Sequence, residues 1–214
     1  MDLITDYIEF WQEKYASILG YTYEHIILSI VAITLAIVMT VPLAIYMTKM
    51  KNQMLKNSIF YIANIFQTIP TIALFAILIP IMGIGFKPAV VALFLYALLP
   101  LLRNTYAGVE SIDSGIVEAA KGMGYSTFQR LVKIELPIAM PYIMSGIRVT
   151  TVYVISWTTL AAVIGAGGLG SLVLAGIGYN DFYMILTGTI VAVAIALIID
   201  LIFAQIEKKL FRTN

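Results

Sequence analysis

The sequence predicts an all-α integral membrane protein with five transmembrane helices and one long polar cytoplasmic loop. Three observations carry that prediction. First, 61% of the 214 residues are hydrophobic and only 12% are charged, whereas an ordinary soluble domain is about 45–50% apolar and about 25% charged. Second, the apolar residues come in runs, and each run reaches the length of about 20 residues that a helix needs to cross the hydrocarbon. Third, five crossings place every one of the 13 Lys and Arg residues except Lys14 and Lys87 on one side, as expected of cytoplasmic loops.

The segment 1–25 is acidic and carries Ile4, Ile8, Trp11, Tyr15 and Ile18 at helical spacing, followed by Tyr21 and Tyr23. It reads as an external interfacial helix with an aromatic belt. It lacks the basic flank and small-residue site of a cleavable signal. Residues 26–206 form the expected transmembrane domain. The first span is Ile26–Thr48, with Lys49, Lys51 and Lys56 after it. The second, Ser58–Met82, contains "NIFQTIPTIAL". There Pro70 removes a backbone donor and predicts a kink, and Gln67, Thr68 and Thr71 can satisfy the freed groups. Two readings stand: a kink tolerated inside a bundle, or a polar pathway lined by Asn64, Gln67 and Thr71.

The third span is Pro88–Ala107. After the loop 108–137, the apolar stretch Ile138–Gly178 is too long for one crossing. Two crossings there would put the basic tail, with Lys208, Lys209 and Arg212, outside. One span plus a short interfacial or re-entrant helix over 165–178 is therefore expected, with Asn180 and Asp181 capping the fifth span, Met184–Ile206. The N-terminus is then outside, and the tail 207–214 is cytoplasmic.

Several chemistries are excluded. A net charge of +1 gives no support for nucleic-acid binding. With no cysteine and one histidine, His25, neither a disulfide framework nor a metal centre is expected. "GAGGLG", Gly165 to Gly170, has the letters of a dinucleotide fingerprint but follows a membrane helix rather than a strand; its glycines suit a tight turn. No phosphate-binding loop, zinc-protease motif or nucleophile elbow occurs, so no enzyme activity and no cofactor are expected. Asp200, inside the fifth span, reads either as an ion-coupling acid or as a partner of Arg148 or another chain. Tyr153 and Trp157, four residues apart, either pack the bundle or offer faces to a quaternary ammonium group.

The loop reads as helix, glycine joint, helix. Asp113 or Ser114 caps a first helix over "GIVEAAKG", which Gly122 and Gly124 end. "STFQ" is a capping-box pattern that starts a second helix with Phe128, Leu131 and Val132 on its apolar face, closed by Pro137. The first helix is either an ordinary surface helix or a docking helix for a cytoplasmic partner, in which Ala119 and Ala120 permit close approach and Glu118 pairs with a basic residue.

The stretch from Glu118 to Pro137, "EAAKGMGYSTFQRLVKIELP", resembles the EAA loop of ABC importer permeases. Glu118, Ala119, Ala120, Gly124, Ile134, Leu136 and Pro137 stand at that motif's positions. The resemblance implies a type I importer fold like that of methionine permeases, with the loop, Gly122 included, coupling to the ATPase. "QTIPTIALFAILIPIMGIGFKP", "LLPLLRNTYAGVESID" and "LAAVIGAGGLG" further resemble permeases for osmoprotectants such as glycine betaine, carnitine and choline, and the short length resembles Gram-positive systems. That resemblance implies a bacterial plasma-membrane permease subunit for ATP-driven uptake, with ATP and Mg bound by a separate ATPase dimer. It also implies an extracytoplasmic binding protein and a second permease, identical or related. A methionine-type importer and an ion-coupled secondary transporter are the alternatives.

Overall fold

In lipid every backbone donor and acceptor must be satisfied within the chain, so the apolar runs become helices. The computed structural model describes residues 3–210; Arg212 of the predicted tail lies outside the described residues. The first helix, α1, runs unbroken over 47 residues, Leu3–Lys49, about 70 Å at the helical rise. The predicted separate N-terminal segment is thus the first half of a single rod. Gly20 is its one weak former there, costing about 1 kcal/mol, and burial of Phe10 and Ile18 against Leu172 offsets that cost. The expected stripe is also split. Ile18 is buried, Trp11 partly so, while Ile4, Ile8 and Tyr15 face outward.

Two helices come next, α2 (Gln53–Thr68) and α3 (Thr71–Met82). Asn52 caps α2 by accepting from the Leu55 amide at 3.1 Å. The predicted kinked span is instead broken, with α2 and α3 bent by 101°. Proline disfavours helical backbone in the residue before it, and here Ile69 and Pro70 are both extended. The chain continues as α4 (Phe86–Glu110) and α5 (Ser114–Gly122). A further rod begins as α6 (Thr127–Arg130), passes through a widened π turn at Leu131–Glu135, and continues as α7 (Leu136–Thr158). Pro137 therefore does not end a helix. The π turn lets the Leu136 amide reach back five residues to the Leu131 carbonyl, and Pro137 sits in the first turn of α7, where its missing donor is tolerated.

The rod closes in a tight 3-10 segment, Thr159–Ile164, before the glycine turn. The short α8 (Leu169–Tyr179), 11 residues long, covers about 16 Å and cannot cross a bilayer. Asn180 takes the left-handed conformation. The Asp181 carboxylate accepts from the Tyr183 and Met184 amides to cap α9 (Phe182–Leu210), as expected. Among the described residues four helical rods are long and apolar enough to span a membrane, and the bent α2–α3 pair makes a fifth.

The core lies where α1, α4 and α7 meet, around Leu28, Ala32, Leu93, Ala139, Ile143 and Val154. Backbones approach closely there: a Cβ on Gly146 would sit 2.5 Å from the Asn104 Cβ, the small-residue packing of membrane bundles. α9 leans on α7 and α8 but leaves Ile190, Val193, Leu197 and Leu201 exposed. The pairings Lys49 to Glu135, Ser29 to Thr158 and Thr187 to Tyr7 define two ends. One end, here called basic, holds Lys49, Lys56, α5 and Lys208; the other holds the glycine turn, Lys87 and Asp181.

Candidate functional site

Inside the bundle the α2–α3 break leaves backbone groups that membrane helices normally pair. Tyr96 of α4 repairs part of this: its hydroxyl donates to the Ile69 carbonyl, and its own carbonyl accepts from Gln67 Nε2 at 2.7 Å. The Tyr96 ring is tilted against Trp157 at 5.1 Å between centroids, and Trp157 meets Tyr153 at 5.7 Å. An aromatic chain thus runs from buried Tyr96 beside the break to exposed Tyr153. Gln67 thus bonds the Tyr96 backbone and Trp157 packs between Tyr96 and Tyr153, while Asn64 and Thr71 lie half-buried on the two arms of the break. Tyr96 was missed. Its signal was a phenol hydroxyl in the apolar middle of a span, which lipid obliges to find a partner.

At the basic end the loop is tightly built. Asp113 caps α5 through the Gly115 amide at 2.7 Å. The helix ends in a paired-amide motif: Gly124 donates to the Lys121 carbonyl at 2.9 Å and Tyr125 to that of Ala120 at 3.2 Å. This ending needs a left-handed residue, and Gly124 supplies it with φ +82°. Gly122 stays helical, so the joint rests on one glycine rather than two. Ser126 and Gln129 form the expected reciprocal capping box. Glu118 and Ala119 face outward, but Ala120 is buried at 1% exposure, so only one of the two alanines is open to a partner. Met123 and Phe128 add exposed apolar surface beside them, Phe128 at 73%. Ile134 and Leu136 are half-buried behind this face, and Pro137 is exposed.

Three polar clusters join the rods. Buried Glu135 accepts from Lys49 Nζ and from Arg130 Nε, the latter at 2.7 Å. Arg148 holds Asp200 with two hydrogen bonds, 2.6 and 2.8 Å, and donates a third to Glu207 at 2.9 Å. Asp200 is thus paired within the chain, one of the two readings of its position. At the far end, the Gly168 amide donates to Glu24 at 2.8 Å, His25 Nε2 donates to the Ile155 carbonyl at 3.0 Å, and the Ser29 and Thr158 hydroxyls meet at 3.0 Å. The "GAGGLG" stretch is a tight turn, with Gly165, Gly167 and Gly168 all at positive φ. Of these clusters only the Arg148–Asp200 contact was anticipated. Partners far apart in sequence leave no local signal.

A broken span, an ordered loop helix and rods cross-linked by ion pairs define the class: a multi-pass helical membrane protein. The chain matches the family described as binding-protein-dependent transport system inner membrane component over residues 40–212, and it belongs to that family. It is 40% identical over 203 residues to the choline transport system permease protein OpuBB of Bacillus subtilis (strain 168), covering 95% of this chain and 93% of the relative. It is 38% identical to the carnitine transport permease protein OpuCB of Listeria monocytogenes, covering 95% and 92%. To the osmoprotectant import permease protein OsmW of Salmonella typhimurium it is also 38% identical, covering 94% and 95%. Among solved structures, the inward-facing MetNI methionine ABC transporter matches with a TM-score of 0.81 at 24% identity, over 90% of this chain and 95% of that one. An amino acid ABC transporter crystallised with histidines matches with a TM-score of 0.79 at 16% identity, over 98% and 99%. These last two likenesses establish the fold. The chain is a permease subunit of an ABC importer in the bacterial inner membrane, a transport subunit rather than an enzyme, and works with a binding protein and an ATPase.

Proposed function

We propose that this permease imports osmoprotectants of the quaternary ammonium class, such as glycine betaine, carnitine or choline. The relatives named for choline and carnitine transport support this over a methionine-type substrate, for which only the fold speaks. The carrying observation for mechanism is the ordered α5, presenting Glu118 and Ala119 outward at the basic end between the Asp113 cap and the Gly124 joint. Basic residues favour the cytoplasmic side, so that end faces the cytoplasm, the C-terminal end of α9 is inside, and the glycine turn is outside. The ATPase dimer, which binds ATP and Mg, docks on α5. The motif positions from Glu118 to Pro137, including Gly122, Gly124, Ile134 and Leu136, shape that contact. The binding protein delivers substrate at the glycine-turn end.

Two permease copies, identical or related, enclose the path. Discontinuous helices near mid-membrane are where transporters place substrate. The Asn64, Gln67 and Thr71 arms, with the rings of Tyr153 and Trp157, line it, and aromatic faces attract an alkylated ammonium group without strong hydrogen bonds. Closure of the ATPase dimer pulls α5 and rocks the bundle, alternating access. Reconstitution with ATPase and binding protein tests this, with uptake and ATP hydrolysis read across glycine betaine, carnitine, choline and methionine. Stimulation by at least one quaternary ammonium compound and none by methionine is expected; stimulation by methionine alone would overturn the substrate class.

A further inference from the structure

The segment joining α5 to α7 contains a mechanical weak point. A π turn occupies Leu131–Glu135, and Pro141 comes within the next two turns, removing a backbone donor. A pull on α5 transmitted along this segment alone would be absorbed by bending there. The structure braces that joint. A π turn inserts one residue into the helix and so rotates the rest of the rod by about 100°. Glu135 is the last residue of the turn, and its side chain is only 2% exposed. It is gripped by Lys49 from the end of α1 and by Arg130 from α6. A carboxylate this buried tolerates the loss of a cation poorly, because an uncompensated charge remains.

The middle of α1 is tied as well. Glu24, His25 and Ser29 bond to Gly168, Ile155 and Thr158, which belong to α7 and the turn after it. From Glu24 to Lys49 the helix covers about 37 Å. The second half of α1 and α7 therefore form two rods, tied to each other at both ends of that stretch.

We infer that the Lys49–Glu135–Arg130 cluster is a strap that carries movement of the α5 loop into α1, and through α1 to the glycine turn at the opposite end. Lys49 and Glu135 are then positioning residues for coupling, touching neither ATPase nor substrate. This rests on the docking role given to α5, and the two fail differently. If the chain bearing Glu118→Lys still transports at the normal rate, the docking role is wrong whatever the strap does.

The test uses the importer reconstituted in proteoliposomes with its ATPase and binding protein. In Lys49→Met, the ATPase should still co-purify and basal ATP hydrolysis should persist. Substrate moved per ATP should fall about tenfold, a usual size for a lost coupling between sites. The chain has no cysteine, so a Lys49→Cys, Glu135→Cys double variant can be bridged with a short bifunctional thiol reagent joined by reducible bonds. Coupling should be low before bridging, return after it, and disappear on reduction. Normal coupling in Lys49→Met, loss of ATPase association in that variant, or no recovery on bridging would each overturn the strap.

Discussion

Arg148 illustrates how single residues decide this molecule. It lies well inside α7 and meets Asp200 and Glu207, both from α9. An acid inside a span is costly unless paired, and the two-pronged guanidinium contact satisfies it. Arg148→Met should lower the thermal unfolding midpoint in detergent more than Asp200→Leu does. The double variant should recover toward wild type, because breaking a pair costs more than replacing it. Additive losses in the three proteins would show that the pair is not coupled. The same pairing argues against ion coupling through Asp200: ATP-driven uptake should survive Asp200→Asn, which a carrier dependent on this acid would not tolerate.

Among elements, α5 and its glycine joint carry the clearest expectation. Gly124 sits at φ +82°, and a Cβ added there would meet no other atom within 4 Å. Substitution therefore meets no clash, only a backbone cost of about 1–2 kcal/mol for left-handed geometry. Gly124→Asp and Glu118→Lys should leave membrane insertion and expression intact. Both should abolish substrate uptake, the first by shifting the helix end and the second by reversing charge on the outward face. Uptake at wild-type rate by either protein, at matched expression, would remove the coupling role. The break between α2 and α3 belongs to this scale too. Pro70 predicted a kink, but the restricted residue before it and the Tyr96 hydroxyl on the Ile69 carbonyl together stabilise a sharp change of direction.

For the whole molecule, the distribution of basic side chains ties topology to orientation. Lys49, Lys56 and Lys208 gather at the end that holds α5, while Lys87 lies beside the glycine turn. In the cysteine-free chain, Lys51→Cys should be labelled by an impermeant thiol reagent only after the cells are opened, and Lys87→Cys in intact cells. The reverse pattern would invert the proposed orientation and strand α5 away from the ATPase.

The apolar runs, the basic loops, the Asp113 and Ser126 caps and the spacing from Glu118 to Pro137 were legible in the sequence because each is local. Chain length per crossing, positive φ at a helix end and reciprocal capping depend on neighbours a few residues away. The sequence by itself thus determined an all-helical membrane chain, its family resemblance and the helix caps of its loop. Tertiary structure decided the rest. It joined segment 1–25 to the first span, opened the Pro70 kink into a break, carried the loop helix through Pro137 by a π turn, and set Lys49 on Glu135 and Glu24 on Gly168. Those outcomes depend on packing and on side chains finding partners 86 and 144 residues away, and no local pattern in the chain encodes which partner a carboxylate will meet.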